Sequence, residues 1–358
     1  MYPLDDGLFA PLNQWYVAAW SSEVTREPIE RTILDEPVAL YRKQDGTAIA
    51  LDGRCPHRSF PLGKSRVVGD DIQCGYHGIR FGPDGQGTVI PSQDHVPKVC
   101  SVRAYPLAER WQWIWIWPGD PALADESLIP DHAAIGLTDP ANVCVPVCHH
   151  LVPGRYMLLH DNLFDLTHIE FLHGASFGAG TKSDAVPTHV EGPNRLGSHH
   201  EQFAVDAPPF MAHAIDYQGL IDRTFGLTLE LPCLHHGSDD LFARNPDGSR
   251  GALLGSLKIF HAITPASKTS CHYFFALGHN WLHLDQAFMD GMCAAVTPGI
   301  AEDVFAVTEI EKMIQHHGGR PGEILLQADH VCVRGRRLFE KMIRAETAPV
   351  RSPASSDA

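Results

Sequence analysis

Two short stretches of the chain each pair a thiol with an imidazole. Arg54-Cys55-Pro56-His57-Arg58 leaves one residue between Cys55 and His57. Gln73-Cys74-Gly75-Tyr76-His77-Gly78 leaves two between Cys74 and His77, and sixteen residues separate the halves. Two Cys and two His suit a structural zinc. They also suit a 2Fe–2S cluster that takes both thiolates on one iron and both imidazoles on the other, which lowers the negative charge around the cluster and raises its reduction potential. The Cys-x-His half favours the cluster: both ligands share one tight turn whose backbone Pro56 fixes, whereas zinc fingers space their first pair by about two to four residues. Gly75 and Gly78 allow backbone amides to approach sulfur closely, a further lever on potential.

A second stretch, Leu159-His160-Asp161-Asn162-Leu163-Phe164-Asp165-Leu166-Thr167-His168-Ile169-Glu170-Phe171-Leu172-His173, reads as a helix buried on much of its surface. Asn162, Asp165 and His168 recur every three residues and share one polar stripe. Polar groups on a buried face need partners, and Asp165 can accept the ring N–H of His168, as a carboxylate that orients a metal-bound imidazole does. His168 and His173 are five apart, so both reach one ion only if the helix carries a π-type turn or ends between them. Two His with one distant carboxylate form the facial triad of non-haem Fe(II) oxygenases, which leaves positions open for O2. The carboxylate is expected in Thr297-Pro298-Gly299-Ile300-Ala301-Glu302-Asp303-Val304, where Thr297 as N-cap and Pro298 at the first helical position start a helix. Spacing alone does not choose between Glu302 and Asp303.

The elements that must position these groups follow from pattern. Val38–Arg42 and Ile49–Leu51 flank a turn at Gln44-Asp45-Gly46-Thr47, a β-hairpin feeding the first Cys/His loop. Trp111, Trp113, Trp115 and Trp117 recur at the period of a strand with one aromatic face, which is read as core packing of a small β domain. Pro118-Gly119-Asp120-Pro121 closes that domain and begins a linker. Residues 1–121 are therefore an all-β domain that holds the cluster on two loops, 122–345 a second domain, and 346–358, rich in Ala, Ser and Pro, a disordered tail. Cys144, Cys148, His149 and His150 are read as buried or packed groups rather than a further metal site. The doublets His199-His200, His235-His236 and His316-His317 point apart and cannot converge on one ion.

Composition frames the rest. At 358 residues with 44% hydrophobic and 20% charged residues, this is an ordinary globular chain of two-domain length. A net charge of −15 argues against nucleic-acid binding. No apolar run approaches the ~18 residues of a membrane span, and the first residues lack the pattern of a signal peptide. A cytoplasmic location follows as the expectation, with the nine cysteines as thiols or metal ligands. No Gly-x-Gly-x-x-Gly opens a helix after a strand, so no nucleotide site is expected.

Taken together, the Cys55/His57/Cys74/His77 set, the Asn162, Asp165, His168 and His173 series and the late Glu302-Asp303 pair resemble the oxygenase component of Rieske non-haem iron oxygenases. Trp15-Tyr16-Val17-Ala18-Ala19, Thr32-Ile33-Leu34-Asp35, Trp115-Ile116-Trp117-Pro118-Gly119-Asp120-Pro121 and Ser270-Cys271-His272-Tyr273-Phe274-Phe275 resemble, more narrowly, the dicamba monooxygenase and vanillate O-demethylase branch. The resemblance implies an α+β fold: an N-terminal all-β Rieske domain, then a helix-flanked antiparallel sheet of helix-grip type that holds a mononuclear iron. It implies Asp303 as the third iron ligand with His168 and His173, and Asp165 as the bridge from His168 to His77 of the partner subunit in a homotrimer. Asn162 would sit beside the iron without firmly ligating it. It implies electrons from NAD(P)H through a separate reductase, with or without a ferredoxin, and O2-dependent O-demethylation or methyl hydroxylation of a small aromatic substrate, acidic or not. His261 matches a pocket histidine that contacts the substrate carboxylate in this branch. The branch's aromatic clamp before the acidic pair is replaced by Ala294-Ala295-Val296, which implies a roomier pocket. Of the cations between 204 and 260, Arg223, Arg244, Arg250 and Lys258, none forms an evident carboxylate clamp. Arene cis-dihydroxylation and, in another class, an electron carrier with a non-catalytic second domain are the alternatives.

Overall fold

The computed structural model describes residues 9–176, 187–318 and 322–347. The first half is built from three small antiparallel sheets. One holds Tyr16–Trp20, Trp113–Ile116 and Leu107–Arg110, a second Ile29–Ile33, Glu36–Arg42 and Ala48–Asp52, and a third Arg66–Val68, Asp71–Gln73, Arg80–Phe81 and Gly87–Val89. The hairpin expected over 38–51 forms, with Arg42 opposite Ala48 and Gly46 in the left-handed region at the turn. A separate small core, with Tyr41, Leu51, Leu62, Ile72 and Phe81, sits beneath the Cys/His loops and includes the Cys55 and Cys74 side chains.

The tryptophan strand is buried on both faces rather than one, with Trp113, Ile114, Trp115 and Ile116 all shielded from solvent. The reason is its place in the molecule. Trp20 stacks on Trp113 and also meets Phe274 of the second half edge-on at 5.6 Å. One continuous apolar core thus runs from this sheet into the second half. Backbone bonds stitch the same seam: Leu34 N–H and Asp35 N–H donate to the Pro265 and Ala266 carbonyls at 3.0 and 2.8 Å, and the Thr264 hydroxyl donates to the Val17 carbonyl at 2.7 Å.

The second half centres on a seven-stranded antiparallel sheet in the order Val143–Val152, Ser270–His279, Arg250–Ser267, Leu234–Arg244, Ile221–Glu230, Arg195–Val205, Thr188–Glu191. Helices Tyr156–Phe164, Gln286–His316 and His330–Thr347 pack with it. The last helix includes Glu346, whose carboxylate accepts from the Leu12 and Asn13 amides at 2.7 and 2.8 Å, so the first two residues of the expected tail are ordered; residues 348–358 lie outside the described ones. No helix is long and apolar enough to cross a membrane among the described residues.

Two helical expectations are corrected. The late helix starts not at Thr297 but at Gln286, capped by the Asp285 carboxylate on the Phe288 amide, and Pro298 lies inside it. Burial explains why: Met289, Met292, Val296, Ile300, Asp303, Val307, Glu311 and Ile314 form an unbroken stripe at three- and four-residue steps across the proline. The earlier helix does not run through 159–173 but stops at Phe164. Asp165 is extended, Leu166–His168 form a 3-10 turn and Ile169–Leu172 one short helical turn, so the chain bends between Asn162 and His168 and ends its helix before His173.

Candidate metal centres and pocket

The two Cys/His loops share one backbone plan. In each, the cysteine amide donates to the carbonyl five residues on (Cys55 to Phe60 at 3.0 Å, Cys74 to Ile79 at 2.8 Å). The amide four residues on returns a bond to the cysteine carbonyl, from Ser59 at 2.8 Å and Gly78 at 3.0 Å. Ser59 and Gly78 both have positive φ, the conformation that closes such a turn. Both cysteines are buried and both histidines exposed. The rings of His57 and His77 lie 4.6 Å apart, and burial, aided by Cys74 beside it, pushes the Cys55 thiol above its ordinary range. Thiol therefore pairs with thiol and imidazole with imidazole. A tetrahedral zinc would gather all four donor atoms within about 4 Å of one another. Here no three of the four lie within 4.8 Å. The arrangement fits a binuclear cluster with sulfur ligands inward and nitrogen ligands at the surface, and does not fit one ion.

At the second site three ligand atoms do converge: one each from His168, His173 and Asp303, all within 4.8 Å of one another, the one such group among the described residues. Asp303 Oδ1 lies 3.6 Å from His168 Nε2 and 3.1 Å from His173 Nε2. Each imidazole is held from behind through Nδ1, which fixes the tautomer that presents Nε2 forward. For His168 the acceptor is the backbone carbonyl of Asp165 at 2.6 Å, not its carboxylate, which instead caps the Thr167 amide at 2.9 Å. For His173 it is Glu302 Oε2 at 2.7 Å, itself held by the Ser176 hydroxyl at 2.8 Å. Asn162 Nδ2 donates to Asp303 Oδ1 at 3.0 Å. Burial holds His168 below its ordinary pKa despite the nearby Asp303. Burial acts on His173 too, but the Asp303 and Glu302 carboxylates outweigh it and raise its pKa. Two imidazoles and a carboxylate with their outer partners in place make a donor set that fits Fe(II) and leaves coordination positions open.

The scaffold brings residues about 130 positions apart together through a buried ion pair. Arg155, at the entry to the Asn162 helix, donates to Glu311 from Nε at 2.6 Å and Nη2 at 2.7 Å, and Glu311 stands two turns beyond Asp303 on the same helix. Gly154 lets the two segments touch, since a side chain there would come within 2.5 Å of Val307.

A pocket with about 780 Å³ of empty space, partly open to solvent, runs from the three ligands along the sheet. Leu163, Val296, Ile259, Leu277, Phe225 and Phe275 give it apolar walls, and Val296 occupies the place where the clamp was found missing. His261 lines it; its Nδ1 is 2.6 Å from the Tyr273 hydroxyl, and burial pulls its pKa down to about 3, so the ring is neutral at pH 7. Of the cations considered from sequence, Arg223 lines the pocket, whereas Arg244 pairs with Asp222 and Arg250 with Glu201 elsewhere. The Glu302 anchor, the Arg155–Glu311 pair and Asp239 beside Arg223 were not foreseen. The stripe of the late helix carried one signal for them: it puts Asp303 and Glu311 in phase with its apolar residues and Glu302 out of phase.

Residues 14–106 match the Rieske [2Fe-2S] domain family, and residues 152–345 match the C-terminal domain of vanillate O-demethylase oxygenases. The chain belongs to the vanillate O-demethylase oxygenase family. This oxygenase is 34% identical over 348 residues to the oxygenase component of dicamba O-demethylase from Stenotrophomonas maltophilia, covering 94% of this chain and 98% of the relative. It is 31% identical to the iron-sulfur subunit of the toluene-4-sulfonate monooxygenase system of Comamonas testosteroni, covering 94% and 99%. It superposes on the crystal structure of dicamba monooxygenase bound to dicamba with a TM-score of 0.82 at 32% identity, over 94% and 99% of the two chains. It is thus the oxygenase component of a multicomponent system, a Rieske-type non-haem iron monooxygenase whose cofactors are a 2Fe–2S cluster and Fe(II). The electron-carrier alternative gives the second ligand set no use and falls with the family match.

Proposed function

We propose that this oxygenase hydroxylates a methyl group on a small aromatic compound, and that an O-methyl substrate is thereby demethylated. Electrons come from NAD(P)H through a separate reductase, with or without a ferredoxin, to a homotrimer in the cytoplasm. The observation that carries the reading is the convergence of His168, His173 and Asp303 at one end of an apolar, aromatic-lined pocket. The resemblance to a relative named as an O-demethylase supports the reaction. Nine cysteines, all unpaired, support a reducing compartment. The division of labour at 1–121 and 122–345 belongs to the same proposal.

Cys55, Cys74, His57 and His77 would hold the cluster, and His168, His173 and Asp303 the mononuclear iron. When bound, the cluster supplies single electrons and the iron activates O2. The chain's own residues do the rest. Exposed His57 and His77 bring the electron-carrying end to the surface. Asp165 is half-buried, and its Oδ2 accepts no hydrogen bond among the described residues, which leaves it available to His77 of the partner subunit. Its carbonyl fixes the His168 ring, so one residue would join the two centres through side chain and backbone together. Asn162 orients Asp303 without standing in for it. The apolar walls keep water away from the reacting carbon, and His261 offers a neutral ring nitrogen to the substrate. Hydroxylation of an aryl O-methyl consumes O2, two electrons and two protons, releases water and leaves a hemiacetal. That hemiacetal loses formaldehyde to give the phenol.

The test is iron analysis with a screen of aryl methyl ethers driven by a surrogate reductase. About three irons per chain and formaldehyde in step with O2 consumed are expected. A dihydrodiol product, or about two irons per chain, would overturn the proposal.

A further inference from the structure

We infer that the far end of the pocket admits an uncharged group and discriminates against a carboxylate or sulfonate placed there. The inference rests on the reading of this pocket as the substrate site and adds the chemical class that it admits.

The sheet wall of the pocket can be laid out from strand register, because residues opposite one another on antiparallel strands share a face. Leu229, His235 and His261 form one row, and Phe225, Asp239 and Leu257 another. His261 and Leu257 are four residues apart on one strand, so the rows stand about 13 Å apart. The His261 row marks the iron end, since His235 of that row bonds His160 at 2.8 Å and meets the Phe164 ring at 5.1 Å, both on the helix that carries Asn162. The Asp239 row marks the far end. Between them lie apolar Leu227, Ile259 and Leu277.

The far end carries the lining's one permanently charged cation among the described residues, Arg223, and that cation is already neutralised. Its guanidinium donates to Asp239 from Nε at 2.7 Å and from Nη2 at 2.6 Å, and lies 4.5 Å from the Phe225 ring centre. Both partners line the pocket, and both are buried, at 7% and 4% exposure. An anion buried in such a pocket needs a counter-charge. A substrate carboxylate that reached Arg223 would share one cation with Asp239, placing two anions side by side where water screens them little. The iron that His168, His173 and Asp303 would hold lies toward the other row, too far to neutralise an anion placed at Arg223. An amide or hydroxyl meets no such penalty, because it brings no second negative charge beside Asp239. The geometry therefore describes an elongated substrate with a methyl-bearing ring at the iron end and an uncharged hydrogen-bonding group about 13 Å away at most.

The decisive measurement is equilibrium binding to the iron-loaded enzyme without reductase, using matched pairs long enough to span the two rows: 4'-methoxybiphenyl-4-carboxamide against 4'-methoxybiphenyl-4-carboxylate, and 4'-methylbiphenyl-4-sulfonamide against 4'-methylbiphenyl-4-sulfonate. The uncharged member is expected to bind at least tenfold tighter in both. Asp239→Asn, which leaves Arg223 its charge without its counter-ion, should move the ratio at least tenfold toward the anion. The double substitution Arg223→Met with Asp239→Leu should leave the anion bound no better than in the wild type. The wild-type pairs decide the matter even where a variant fails to fold. Anions bound as tightly as or more tightly than their partners, or uncharged members that show no saturable binding, would overturn the inference. Product formation is scored separately with reductase present, so failure of the reaction assignment shows as bound substrate that is never oxidised.

Discussion

The two proposed metal centres are built on opposite plans. At the first, the four candidate ligands come from two loops that lie within 23 residues of one another and share one hydrogen-bonding pattern, Cys55–Phe60 and Cys74–Ile79. The backbone fixes both turns, with left-handed Ser59 and Gly78 at equivalent positions. At the second the candidate ligands come from a broken helix and from another helix 130 residues later, and contacts distant in the chain do most of the fixing: Glu302 and the Asp165 carbonyl behind the imidazoles, Asn162 on Asp303, Arg155 on Glu311. A local site tolerates change elsewhere in the chain, whereas an assembled one depends on how two helices meet. That difference suits the chemistry, since an electron-transfer centre must stay rigid at the surface and a centre that binds O2 and substrate needs open positions beside a pocket.

The most severe way to break the comparison is to remove one centre and ask whether the other survives. Asp303→Ala is expected to lose the mononuclear iron and lower turnover by about a thousandfold or more, with the cluster's visible spectrum intact. Cys74→Ser is expected to do the reverse, bleaching the spectrum while the second site still binds Fe(II). Loss of both metals in either variant would show the centres to be interdependent. Asp165→Asn comes next. Both metals should remain, the crystallisable fold should remain, and steady-state turnover should fall by about a hundredfold or more, while single-turnover reduction of the cluster by the reductase proceeds at the wild-type rate. Wild-type-like turnover with intact metals would remove Asp165 from the path between subunits.

How much of this was legible in the sequence follows from the same contrast. The cluster loops could be read because every ligand and its turn lie within a few residues, and Pro56, Gly75 and Gly78 state the backbone geometry directly. The second site could be read as a list of residue types but not as a geometry. Asn162, Asp165 and His168 at three-residue steps spelled a continuous helix; in the molecule Asp165 is extended because its carboxylate caps the Thr167 amide, starting a new turn. Pro298 spelled a helix start; the apolar stripe running across it was the stronger signal, and that stripe also separates Asp303 from Glu302. The partners Arg155–Glu311 and Arg223–Asp239 lie 156 and 16 residues apart, and no local rule pairs them.

Glu302 offers a finer cut. Because it holds His173 through Nδ1 and is not in the converging set, Glu302→Gln should keep the hydrogen bond in weaker form and reduce Fe(II) affinity by about tenfold to a hundredfold. Cluster content should not change, and excess Fe(II) should restore much of the turnover, which separates a positioning residue from a ligand. Activity that excess iron cannot restore would make Glu302 part of the coordination itself.

The effect that leaves activity at neutral pH untouched concerns acid, and it should fall on one region before the other. The second half buries neutral imidazoles. Burial holds His160 and His261 down to about 3, and holds His272 down to about 4 with the neighbouring His149 adding to it. His160 packs against Tyr156 and bonds His235 at 2.8 Å, and His272 bonds the Thr32 carbonyl at 3.0 Å, so none can take a proton without disturbing its packing. An unfolded histidine titrates near 6.5, so between about pH 6.5 and 4 the unfolded state binds protons that the folded state does not. The stability these groups confer is therefore complete above about pH 6.5 and lost as pH falls toward 4 for His272 and toward 3 for His160 and His261, by about 2 kcal/mol for each such histidine at pH 5. Peptide-resolved hydrogen exchange should show opening in the strands Leu234–Arg244 and Arg250–Ser267 increase between pH 7 and 5, after correction for intrinsic rates, while the small core beneath Cys55 and Cys74, which contains no histidine, changes less. If that small core opened first, the buried histidines would not be what sets the acid limit, and the assembled centre would not be the more fragile of the two.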